Sequence, residues 1–160
     1  MILGIDPGLT GAIAAVDRHG NLLWVEDIPV RDSGRKSRKA NEVDCFALGR
    51  LLRLHISDIR QVCMESVHAM PGQGVSSMFS LGETVGSIRG VLEGFGLAVV
   101  RVQPTAWKRA YGLLRAPKDE SRLEAIRLFP TCRDFERKKD HNRAEAALIA
   151  KWSAMQLRCT

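Results

Sequence analysis

Residues 1–28 read MILGIDPGLTGAIAAVDRHGNLLWVEDI. Met1–Asp6 is short, apolar and rich in β-forming residues, and it ends in an acid followed by Pro7-Gly8. That is the pattern of a buried strand running into a turn. Gly11–Val16 (GAIAAV) and Asn21–Ile28 repeat the β pattern, and Asp17–Gly20 between them carries the polar residues and glycine of a hairpin turn. The stretch predicts three antiparallel strands at the start of the fold.

Downstream, Arg31–Lys39 (RDSGRKSRK) holds five basic residues, one acid and a glycine, and reads as a loop. Asn41 is expected to cap a helix whose apolar stripe is Val43, Phe46, Ala47, Leu51, Leu52 and Leu54. Ile59–Glu65 (IRQVCME) predicts a fourth strand, again ending in a carboxylate. Ser66–Ser77, with Pro71-Gly72 and Gly74, reads as a loop. A helix is expected over about Ser77–Glu93, where Gly82, Gly86 and Gly90 would form a smooth face for close packing. Leu97–Val102 predicts a fifth strand. Pro104 suits the first turn of a short helix to Ala110. Pro117–Phe129 reads as another helix, with Leu123, Ile126 and Leu128 as its apolar positions, and Arg133–Lys139 as a charged connector. The last helix, about Asn142–Met155, offers Ala144, Ala147, Leu148 and Trp152 for packing. This order implies one α/β domain over residues 1–160, a five-stranded mixed sheet flanked by helices.

Composition narrows the function. The chain has 160 residues, 45% of them hydrophobic and 26% charged, which excludes a wholly disordered chain. No run of 18 apolar residues suggests a membrane span, and MILGIDPG lacks the features of a secretory signal. The cysteines, at 45, 63, 132 and 159, form no CxxC pair. This argues against structural zinc and for reduced thiols in a cytoplasmic protein. The net charge of +6 favours an anionic partner such as nucleic acid.

Ionised carboxylates at the ends of central strands are costly unless paired or bound to cations. If the first and fourth strands are neighbours, Asp6 and Glu65 converge, and a divalent metal would relieve their repulsion. Hard oxygen donors favour magnesium, with manganese as a substitute. The alternative is that each acid is an ordinary turn or cap residue. In Lys138–Ala150 (KKDHNRAEAALIA), His141 and Glu145 share a helix face, as do Asn142 and Glu145, and Asp140 lies just before the helix. The alternative there is a surface helix capped by Asp140 or Asn142.

These pieces in order, GIDPGLTG, the acid at Glu65, SLGETVGSIRGVL, PTAWK and DHNRAEAALIA, resemble the RuvC-like Holliday-junction resolvases, above all their bacteriophage-type members. The resemblance runs over about Met1–Trp152. It implies an RNase H-like fold and a homodimer that cleaves four-way DNA junctions with magnesium. The products would be symmetric nicks with 5′-phosphate and 3′-hydroxyl ends. Asp6 matches the family's first metal-binding acid, Glu65 the second, and Glu145 the last.

The family offers a further acid or histidine one turn before that last acid. Here Asn142 stands three residues before Glu145, His141 four and Asp140 five. Asp140 is retained as the fourth ligand, with His141 as a close neighbour or substitute. Lys108 and Lys118 match basic positions near the scissile phosphate, where an ammonium stabilises developing charge. Arg35, Lys36, Arg38 and Lys39 read as a DNA-backbone arm, and Lys138, Lys139 and Arg143 as phosphate contacts beside the acids. Met70, Met78 or Phe79 could wedge against an unstacked base, although Met78 and Phe79 read better as core. Trp107 and Trp152 read as packing residues.

Three rivals accompany this reading: a flap, fork or hybrid nuclease of the same fold, a non-cleaving junction-binding module, and an actin-like ATP-handling protein. The chain is too short for the two duplicated domains of the last. The expected location is the cytoplasm of a bacterial or phage-infected cell, with branched DNA as partner and no membrane or small-molecule cofactor.

Overall fold

The structure is a computed structural model that describes residues 1–34, 41–68, 72–117 and 119–157. The opening stretch forms β1 (Ile2–Asp6), β2 (Ala12–Val16) and β3 (Leu22–Asp27), paired antiparallel in sequence. β4 (Val30–Asp32) and β5 (Asn41–Val43) follow as a separate two-stranded ribbon. After α1 (Cys45–Arg53) come β6 (Gln61–Glu65), α2 (Val75–Gly94) and β7 (Val99–Val102). β6 runs parallel to both β1 and β7, so the five-stranded mixed sheet has the order β3-β2-β1-β6-β7. The remaining helices are α3 (Pro104–Ala110), α4 (Glu120–Leu128) and α5 (His141–Leu157).

Strand alternation sends side chains to two separate cores. Leu3, Ile5, Val62 and Met64 pack with Leu48 and Leu52 of α1 and Ile88 and Leu92 of α2. On the opposite face, Ala12, Ala14 and Cys63 pack with Trp107 of α3, Ala125 of α4, and Ala144, Ala147 and Leu148 of α5. Asp6 and Glu65 have the strand parity of this second face.

α5 crosses β1 at backbone contact. A Cβ on Gly4 would lie 2.2 Å from the Ala150 nitrogen and 2.3 Å from the Ala146 carbonyl oxygen. Gly11 is equally constrained, since its Cβ would lie 2.1 Å from the Asp6 carbonyl oxygen. The turn after β1 therefore folds tightly back on the strand end that carries Asp6. Asn142 closes the same turn from α5, its amide donating to the Thr10 carbonyl and hydroxyl oxygens.

Several local expectations change. Asn41 is a strand residue, and α1 is capped by Asp44, whose carboxylate accepts from the Ala47 N–H at 2.9 Å. The ribbon was hidden because three-residue strands in a charged segment carry no periodicity. Phe46 and Leu54 are each 77% exposed; the buried positions are Val43, Leu48 and Leu52. Among the described residues a Cβ on Gly82, Gly86 or Gly90 would meet nothing within 4 Å, and Phe79 beside them is 65% exposed rather than core. In α4, Leu123 is exposed while Arg122 is buried. Its guanidinium pairs with Asp119 at 2.8 Å and donates to the Phe135 carbonyl at 3.1 Å. That staple, with fully buried Phe135, makes the charged connector a packed element.

Substituting Gly4→Ala should force α5 away from β1. Because the clash is with backbone, which cannot rotate aside, the expected loss is about 3 kcal/mol or more. Urea unfolding measures it, and an unchanged midpoint would show that the two backbones are not locked together.

Candidate metal centre

β1 and β6 are adjacent and parallel, with Ile5 opposite Met64, so their terminal acids stand side by side. α5 brings Glu145 over them through the contact at Gly4, because Glu145 directly precedes Ala146. One carboxylate oxygen from each of Asp6, Glu65 and Glu145 lies within 4.8 Å of the others. Among the described residues no other group of three such side chains converges this way.

Three like charges this close repel, and the neighbouring groups offset that repulsion. Glu65 is 8% exposed and accepts from the indole Nε1 of Trp107 at 2.8 Å. Burial pushes the Glu65 carboxyl up, against the Trp107 hydrogen bond, and Glu145 adds to the rise while Lys108 opposes it. Glu145 accepts from the Ser121 hydroxyl at 3.0 Å and pairs with the Lys108 ammonium at 3.2 Å. The Lys108 Nζ also lies 4.9 Å from the Trp107 ring centroid. An all-oxygen donor set with no cysteine or histidine, at the ends of buried elements, fits a hard divalent cation.

The structure holds Asp140 and His141 apart from this cluster. Asp140 is 3% exposed and faces Arg137. It accepts from the Arg137 backbone N–H at 2.9 Å and from its guanidinium at 2.9 and 3.1 Å. Burial alone would raise the Asp140 carboxyl, but these bonds and the Arg143 charge hold it below the usual carboxylate range. The acid therefore shapes the turn that leads into α5. The His141 Nδ1 lies 3.4 Å from the Lys138 carbonyl oxygen. The convergent set is thus three carboxylates, not four acids.

Of the expected DNA contacts, Arg143 is committed elsewhere. It makes a two-pronged pair with Asp27 at 2.6 and 2.8 Å, and it reaches Asp134 at 3.4 Å. Lys138 and Lys139 are exposed. Lys118, Arg35, Lys36, Arg38, Lys39 and Met70 lie outside the described residues. Sequence reading missed Trp107 and Ser121 as hydrogen-bond donors to the acids. The residue types fit the role, but nothing in local spacing pairs positions 42 and 24 residues apart.

No protein-family model matches the chain. The chloroplastic Holliday junction resolvase MOC1 of Chlamydomonas reinhardtii is 30% identical over 153 residues, covering 81% of this chain. The chain spans 17% of the length of that relative. Thermus thermophilus RuvC in complex with a Holliday junction substrate aligns with a TM-score of 0.70 and 22% identity, covering 99% of this chain and 94% of that one. A second Thermus thermophilus RuvC structure aligns with a TM-score of 0.64 and 22% identity, covering 99% and 95%. The fold is therefore the RNase H-like fold of RuvC, as the sequence resemblance implied.

Two stability measurements follow from the charges. The raised Glu65 carboxyl makes folding bind a proton, so its ionisation costs stability as pH rises from 4.5 through the higher folded value. Glu65→Gln should therefore raise the melting temperature of the metal-free chain by about 3 °C at pH 7. The gain should vanish toward pH 4, and no gain at pH 7 would contradict the burial argument. The lowered Asp140 carboxyl has the opposite sign. Its contribution is present above the ordinary value of 3.8 and is lost as pH falls through the folded value. Asp140→Ala should cost about 1–2 kcal/mol at neutral pH. The variant should bind manganese with unchanged affinity by calorimetry, and a large loss of affinity would return Asp140 to the metal site.

Proposed function

We propose that this chain is a RuvC-like resolvase, an endodeoxyribonuclease that resolves four-way DNA junctions by magnesium-dependent phosphodiester hydrolysis. The carrying observation is the convergence of Asp6, Glu65 and Glu145 beside Lys108 on the fold of RuvC. The substrate class is supported by a relative named as a Holliday junction resolvase and by a similar structure solved with a Holliday junction substrate.

In this reading the three carboxylates hold the cation, with manganese able to replace magnesium. The bound ion supplies positive charge at the scissile phosphate and lowers the pKa of attacking water. The chain's own groups do the rest. Trp107 and Ser121 keep the acids oriented. Lys108, already at the cluster edge, stabilises charge that builds on the phosphate oxygens. Lys118 is assigned the same task from its sequence match. Lys138 and Lys139, exposed just ahead of α5, contact neighbouring phosphates. Arg35, Lys36, Arg38 and Lys39 are assigned DNA-backbone contacts from the sequence alone. Hydrolysis leaves a 5′-phosphate and a 3′-hydroxyl.

One chain supplies one such centre, and two symmetric nicks require two. We place the homodimer interface on α2. Its Val75, Phe79, Gly82, Gly86 and Gly90 form an exposed apolar and small-residue face. Val67, His68, Met78, Leu81 and Val85 line a groove next to it. A twofold contact between such faces makes the groove of one copy a receptor for the helix of the other. Among the described residues no helix is long and apolar enough to cross a membrane; the cytoplasm of a bacterial or phage-infected cell is the proposed location.

The test is cleavage of labelled four-way junction, fork, flap and linear duplex in parallel with magnesium. Junction cleavage should exceed duplex cleavage. Asp6→Asn and Glu145→Gln should abolish cleavage yet retain junction binding in EDTA. Gly86→Arg should give monomers by sedimentation and uncoupled single nicks. Binding without cleavage by the unaltered chain would favour a junction-binding module, and preference for forks or flaps would relocate the substrate.

A further inference from the structure

We infer that Trp107 is a positioning residue of the metal centre: its indole N–H fixes one oxygen of Glu65 so that the other is turned toward the cation. The inference rests on the proposal that Asp6, Glu65 and Glu145 bind the metal.

Three observations carry it. The Trp107 Nε1 donates to the Glu65 Oε1 at 2.8 Å, and both side chains are buried. A carboxylate with one oxygen engaged presents the other in a single direction, as a one-oxygen ligand requires. Second, Trp107 is itself held by packing. It is fully buried among Cys63, Leu113, Ala125, Phe129 and Leu148, so its N–H cannot follow a moving partner. Third, the next residue acts on the next acid. The Lys108 Nζ lies over the Trp107 ring and pairs with Glu145. One short helix therefore positions two of the three carboxylates, and Pro104 starts that helix directly after the strand paired with β6.

The competing account is that Trp107 fills volume and Glu65 merely satisfies its buried N–H. Replacing the indole by an isostere without the donor separates the two. The full-length chain carrying 3-benzothienylalanine at position 107, and separately Trp107→Phe, would be titrated with manganese alone by calorimetry and electron paramagnetic resonance. Melting in EDTA reports packing. We expect the benzothienyl chain to melt like the unaltered chain and to bind manganese about tenfold more weakly, the usual effect of losing a partner behind a metal ligand. Trp107→Phe should show at least that loss. Manganese affinity unchanged in the benzothienyl chain would overturn the inference and leave the metal centre intact. Failure of the unaltered chain to bind manganese would overturn the metal centre itself, and the inference with it. If Trp107→Phe is unfolded, the benzothienyl chain still decides.

Discussion

α5 meets β1 at Gly4 with no side chain between the two backbones. At Gly4 the two backbones approach so closely that no Cβ fits, and the Ala146 and Ala150 turn faces complete the contact. Side-chain packing leaves tolerance, since rotamers adjust, but backbone against backbone leaves almost none. The parallel pairing of β1 with β6 fixes Asp6 relative to Glu65 in the same stiff way. Three acids drawn from distant parts of the chain therefore meet within 4.8 Å because two backbone constraints share one strand. Their mutual repulsion is met locally by Trp107, Lys108 and Ser121.

Elements with a strong local pattern were legible. The three opening strands, both acid-terminated strands and the alanine-rich last helix could be read because period-2 and period-3.6 patterns are local. The convergence of Asp6, Glu65 and Glu145 was legible through the resemblance and through strand-end acids as a type. What stayed hidden was each pairing between side chains far apart in sequence. The Trp107–Glu65 bond and the Arg143–Asp27 pair depend on tertiary placement that no spacing encodes. Asp140 shows the limit from the other direction. Its partner Arg137 is only three residues away, yet a ligand and a turn-former look alike when only residue type is known. Phe46 and Leu54 fit a helical stripe on paper, but the face of α1 that turns inward carries Leu48 and Leu52.

The net charge of +6 does not say which cations face outward. Arg31, Arg89, Arg122, Arg127, Arg137 and Arg143 all pair with acids of this chain. Arg122 and Arg143 are partly or wholly enclosed: Arg122 ties the connector to α4, and Arg143 ties α5 to the end of β3. Each pair cancels one cation against one acid, so the excess of six positive charges stays with the cations left over, exposed Lys138 and Lys139 among them.

The placement of Glu145 has a consequence for the order of assembly. Asp6 and Glu65 are synthesised first, and on a two-strand framework they would be a repelling pair with an uncovered sheet face. Glu145 arrives with the helix that seals that face, since Ala144, Ala147 and Leu148 complete the core beneath it. A growing chain holds two acids and no finished centre until its last helix leaves the ribosome and docks. The acid cluster and the hydrophobic core on that side of the sheet thus close together, and a chain truncated before α5 would lack both.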